Sequence, residues 1–67
     1  MDEERAGMIG VAIGAAVVQL IADGKVICRD NLVEELERQR RLTGNVIGKG
    51  VNRDAAEIVR KGSKAVK

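Results

Sequence analysis

Phenylalanine, tyrosine, tryptophan and histidine are absent from this 67-residue chain, and cysteine occurs once, at Cys28. Each absence removes a class of protein. Aromatic rings bury the most area per side chain, so without them a core has to be assembled from Ile, Val, Leu, Met and Ala. A chain this short lies near the lower limit at which one hydrophobic core holds a fold unaided. Small folds with thin cores compensate with disulfides, a metal or oligomerisation. One cysteine cannot close an internal disulfide, and one Cys with no His offers no ligand set for structural zinc. Association with further copies is the compensation left, and a homo-oligomer, a dimer first of all, is expected.

The lack of histidine also takes away the usual acid–base group near neutral pH. The sole serine, Ser63, has no base beside it. Gly44-Asn-Val-Ile-Gly48-Lys49-Gly50 has three residues between its first glycines where a phosphate loop has four, and Gly50 where Ser or Thr would hold magnesium. No enzyme activity, cofactor or metal site is therefore expected. Cys28 is expected to be a small buried hydrophobe, and a lone cysteine agrees with a reducing, cytoplasmic setting.

What the chain has is a run of seventeen residues without a charge, Ala6–Ala22, although 33% of all residues are charged. A membrane helix needs about 20 apolar residues, with about 17 as the lower edge. The run contains Gln19 and three glycines, and its flanks, Asp2-Glu3-Glu4-Arg5 and Asp23-Gly24-Lys25, show no positive excess on either side. Gly10 and Gly14 have the GxxxG spacing of closely packed membrane helices, but a soluble helix is the expectation. The acidic start also argues against a secretory signal. The run is too long for one strand and lacks a turn pair that would make it a hairpin.

Helical spacing accounts for it better. Ile9, Ile13, Val17 and Leu20 form a stripe of large residues, and Ala6, Gly10 and Gly14 a second, small stripe. A helix apolar on more than one face is covered on more than one side. The glycines, each costing about 1 kcal/mol against Ala in a helix interior, are expected where a neighbouring backbone comes close. A dimer interface is thus expected at Ile9, Gly10, Ile13, Gly14, Val17 and Leu20. The fold class that follows is all-α, a three-helix domain that packs as an oligomer through its first helix.

The helices are read at about 3–22, 30–42 and 46–61, with a basic tail at 62–67. Gly24 suits the left-handed position that ends the first. Val26 and Ile27 are expected to fold under the helices. Asp30 or Asn31 should cap the second, Asn31 with Glu34 having capping-box spacing. Leu32, Val33 and Leu36 make its buried face, and Glu34–Arg38 and Glu37–Arg41 stand in the favourable i,i+4 order. In the third, Ile47, Val51, Ala55 and Ile58 repeat the apolar period. Gly48 and Gly50 weaken its start, which points to Asn52 as a cap, and Gly62 ends it.

Charge divides the chain. Residues 1–37 carry three Lys/Arg and eight Asp/Glu, a net of −5, and residues 38–67 carry nine and two, a net of +7. The basic half could hold phosphates or an acidic partner protein, or meet the acidic half of a second copy. Arg38, Arg41, Lys49, Arg53, Arg60, Lys61 and Lys64 are the candidate contacts, although no aromatic residue exists to stack on bases. The second and third helices could make a helix-turn-helix; a plain helical hairpin explains the same pattern.

The order Ile13-Gly14-Ala15-Ala16-Val17 through Leu20, then Asp23-Gly24, Asn31-Leu32-Val33 with Leu36, Arg53 and Glu57-Ile58-Val59 resembles the small enterobacterial biofilm and acid-resistance regulators of the AriR/YmgB type, also described as connector proteins of two-component signalling. The likeness runs over about residues 9–60 and consists mainly of apolar spacing and one Gly turn. It implies a three-helix, dimeric, non-enzymatic cytoplasmic regulator of biofilm and stress responses that acts through protein partners, with DNA the alternative target. The chain departs from the pattern in the three glycines of its first helix and in its more basic third segment.

Overall fold

Asp2 opens the first helix: its Oδ1 accepts the backbone N–H of Arg5 at 2.7 Å, satisfying one of the donors a helix start leaves free. Glu3 and Glu4 then place negative charge where the helix dipole favours it. The computed structural model describes residues 2–62, and within them lie α1 (Glu3–Ala22), α2 (Arg29–Leu42) and α3 (Val46–Lys61), with no strand among the described residues. The chain is all-α. Each helix packs against the other two.

α1 ends as its glycine implies. Gly24 has φ +67°, its N–H donates to the Ile21 carbonyl at 3.1 Å, and the Lys25 N–H reaches the Leu20 carbonyl at 2.9 Å, the paired closure of a Schellman motif. The connector that follows differs from expectation. Val26 and Ile27 are exposed rather than folded under the helices, and so is Cys28. α2 also begins two or three residues earlier than its polar side chains, Asp30 and Asn31, suggest. Cys28, in extended conformation, takes the N-cap position without a side-chain cap bond, and Asn31 instead donates its Nδ2 to the Val26 carbonyl at 2.7 Å. Asn31 thus ties down the connector and no capping box forms.

α3 starts at Val46 despite its glycines, because Asn45 accepts from both Ile47 N–H (2.8 Å) and Gly48 N–H (3.2 Å). Asn52, expected to cap, lies inside the helix and donates to the Gly48 carbonyl at 3.0 Å. A cap that satisfies two orphan donors, each such cap contributing about 1 kcal/mol, offsets much of the propensity two glycines lose. At the other end Gly62, with φ +63°, closes α3 by donating to the Ile58 carbonyl.

The core is built from Ile9, Ala16 and Leu20 of α1, Leu36 of α2, and Val51, Ala55 and Ala56 of α3. Three of these seven are alanines with no exposed surface. In a core without rings, small residues let the helices approach, and Leu20 and Leu36 fill the space between them. Ile13, Leu32, Val33, Ile58 and Val59 pack around this centre, half-buried.

Candidate interaction face

α1 presents two apolar faces, and the fold uses one. Ile9, Ala16 and Leu20 point inward. On the opposite side Gly7, Gly10, Val11, Gly14, Ala15, Val18, Ile21 and Ala22 are all exposed, with no polar side chain among them between Glu4 and Asp23. Val11 is 74% exposed, Val18 66% and Ile21 61%. This is an uninterrupted apolar strip along a helix about 30 Å long.

The strip is uneven. Its N-terminal half carries three glycines with Val11 among them and borders an open groove of about 830 Å³, walled by Gly7, Val11 and Ala15 of α1, Thr43, and Ile47 and Val51 of α3. Its C-terminal half carries the bulk: Val18 and Ile21, continued by exposed Val26 and Ile27 in the connector. A hollow lies at one end and projecting aliphatic side chains at the other.

Of the residues expected at an interface between copies, Ile9 and Leu20 lie inside the protomer's own core, and Ile13 and Val17 are half-buried. Gly10 and Gly14 are on the outer face. Inside the chain their glycine character answers to nothing: a Cβ at Gly7, Gly10 or Gly14 would meet no neighbouring atom within 4 Å. Val11, Val18 and Ile21 also belong to the exposed face; periodicity gives two apolar faces without telling which is inner.

The basic half is far less available than its sequence implies. Arg38 donates Nε and Nη2 to the two oxygens of Glu35, at 3.1 and 2.8 Å, and Gln39 adds a bond of 2.7 Å. Arg40 pairs with Glu37 at 3.1 Å. These i,i+3 pairs replace the expected Glu34–Arg38 and Glu37–Arg41 pairs; Arg38 turns to Glu35 because that carboxylate is buried and a buried carboxylate requires a partner. Arg60 reaches Glu57 and Glu37, Lys61 reaches Glu57, and Arg53 reaches Asp54. Arg41 and Lys49 have no carboxylate partner among the described residues. Lys64 lies outside the described residues. All ten acidic residues and ten of the twelve Lys/Arg lie within 2–62, so the described fold is formally neutral.

Two carboxylates are held below their usual range. The Arg38 hydrogen bond lowers Glu35 against the opposing effect of burial, with Gln39 assisting. Asp54 is lowered first by Arg5, whose Nη2 and Nε sit 2.6 and 3.2 Å from Oδ2, joining α1 to α3. A carboxylate whose folded pKa is depressed adds stability that is complete above its unfolded value and is lost as pH falls through the folded one. The melting temperature should therefore hold from pH 7 to about 5.5 and then fall with acid as these groups protonate. Glu35→Gln should melt lower at pH 7 and lose less between pH 7 and 3, as followed by circular dichroism; an acid dependence equal to the parent's would exclude Glu35 as a source.

Among the described residues no cluster of three or more His, Cys, Asp or Glu could hold a metal ion. α1 is long and apolar enough, by length and composition alone, to cross a membrane. Comparison of the chain with family models, with curated proteins and with solved structures finds no match.

Proposed function

We propose that this chain is a small non-enzymatic regulatory protein of the cytoplasm that works by binding other proteins, and that a second copy of itself is the first of them, held through the outer face of α1. The observation that carries the reading is the exposed strip from Gly7 to Ala22, apolar along its whole length on a domain whose own core contains no aromatic side chain. A face of this kind is stabilised by removing it from water. The likeness in apolar spacing to biofilm and acid-resistance regulators supports a role in stress signalling.

Polyanion binding is the second reading, and one feature favours it: Lys49, Arg53 and Arg60 are all exposed on α3. The neutrality of the described fold weighs against it, since phosphate affinity scales with uncompensated cations.

The glycines separate the readings. Gly10→Ala and Gly14→Ala meet open space within the protomer, so each should raise folding stability by about 1 kcal/mol through helix propensity. At a contact between two copies, the same methyl should weaken association. Thermal melts in dilute solution and sedimentation equilibrium at micromolar concentration read the two effects apart. A parent that sediments as a monomer at high micromolar concentration overturns the self-association reading. Retention on duplex DNA that falls steeply with salt would favour the second reading, and recovery only with membranes would favour neither.

A further inference from the structure

The geometry points to an antiparallel dimer in which α1 of one copy lies against α1 of the other, with the bulky C-terminal half of each strip seated on the small N-terminal half of its partner. This rests on the reading that a second copy covers α1, and adds the arrangement that reading leaves open.

The first argument is size. Along the strip, Gly7, Gly10 and Gly14 occupy the N-terminal half, with Val11 beside them at the edge of the groove, and Val18 and Ile21 the C-terminal half. In a parallel pair each residue faces its counterpart, so glycines meet glycines at one end while Val18 and Ile21 meet themselves at the other, and the helices are forced apart where the bulk is. Reversing one helix matches large with small at the two places where the bulk of Val18 and Ile21 would otherwise collide. With Gly14 of both copies at the two-fold axis, Val18 falls opposite Gly10 and Ile21 opposite Gly7. Close approach at the glycines then has a use that the isolated chain does not provide, since no atom of the protomer comes within 4 Å of a Cβ there. The groove of about 830 Å³ beside Gly7 and Val11, walled also by Ile47, lies where the partner's Ile21 arrives. Because the operator is two-fold, the hollow of each copy receives the projection of the other, and the assembly closes at two.

Charge is the second argument, and it agrees. Glu3 and Glu4 are exposed at one end of the strip, and Lys25 is exposed just past the other, in no ion pair among the described residues. Antiparallel pairing sets Lys25 beside the partner's Glu3 and opposes the two helix dipoles. Parallel pairing brings four carboxylates together at one end.

Cross-linking tests the arrangement. In a Cys28→Ser background, Glu3→Cys and Lys25→Cys are prepared as separate proteins and treated with a short bismaleimide, alone and as a re-equilibrated mixture, with sedimentation equilibrium run on each. The expected result is cross-linked dimer in the mixture and none in either variant alone. Cross-linking of Glu3→Cys with itself, in protein that sediments as a dimer, overturns the antiparallel arrangement while keeping self-association. Dimers that cross-link in neither form place the interface away from α1 and overturn both. Protein that sediments as a monomer throughout, the parent included, removes the second copy and this arrangement with it.

Discussion

Leu36→Ala is expected to leave the chain without a cooperative thermal transition at room temperature. Leu36 has no exposed surface and is the one α2 hydrophobe in the buried core, with Ile9 and Ala16 of α1 and Val51, Ala55 and Ala56 of α3 in the same cluster. Removing such a side chain costs about 2–5 kcal/mol, the larger values where neighbours cannot close the cavity. Three of the five other buried residues in its cluster are alanines, which have nothing to move into the space. A single core of this size supplies only about 3–5 kcal/mol in total, so the loss equals the whole margin. Urea titration of the parent and of Leu36→Ala, followed by far-ultraviolet circular dichroism, reads this directly. Val46→Ala, at a position 84% exposed, should stay within about 0.5 kcal/mol of the parent. A cooperative transition retained in Leu36→Ala near the parent's midpoint would show that the core is held elsewhere.

If a second copy covers α1 as proposed, Val18→Glu should do the reverse, keeping the fold and losing that association. Val18 is 66% exposed in the protomer, so within one chain the new carboxylate stands in water and stability should hardly change. Between two copies it would be a buried, unpaired charge, which costs about 3–5 kcal/mol, or roughly a hundredfold to a few thousandfold in the dissociation constant. Ile9→Glu is the control: at 4% exposure the same charge enters the core and should abolish folding itself. Ile13 and Val17, half-buried, are poor choices because a charge there acts on folding and association together. Sedimentation equilibrium with circular dichroism on the same samples separates the two quantities. A Val18→Glu protein that dimerises as tightly as the parent would move the interface off the outer face of α1.

Local patterns in the chain carried much of the architecture. Three runs with apolar residues at helical spacing were readable as three helices, because that spacing reflects contacts within a few residues along the backbone. Gly24 and Gly62 were readable as ends for the same reason: a positive φ is a property of one residue and its immediate turn. Capping was less readable. Asn45 and Asn52 both stand where a helix could start, and which one caps depends on whether the turn between them is worth forming against α1 and α2. Cys28 lies at an N-cap and is exposed because the connector's two aliphatic residues stay out of the core, an outcome of how α2 docks rather than of any neighbouring residue.

By itself, then, the sequence determined that the chain is all-α, that its core lacks rings, and that α1 has two apolar faces needing cover. Only the tertiary structure decided which face turned inward. The two differ in shape rather than in polarity, and shape is judged by the surface opposite: Ile9, Ala16 and Leu20 fit against Leu36 and the alanines of α3, leaving the glycine face outside. The fate of the basic half was decided in the same way. A count along the chain separates −5 from +7, but Arg5 meets Asp54 forty-nine positions away and Arg60 meets Glu37 across two helices, since electrostatic pairing depends on distance in space and the chain's order does not contain it.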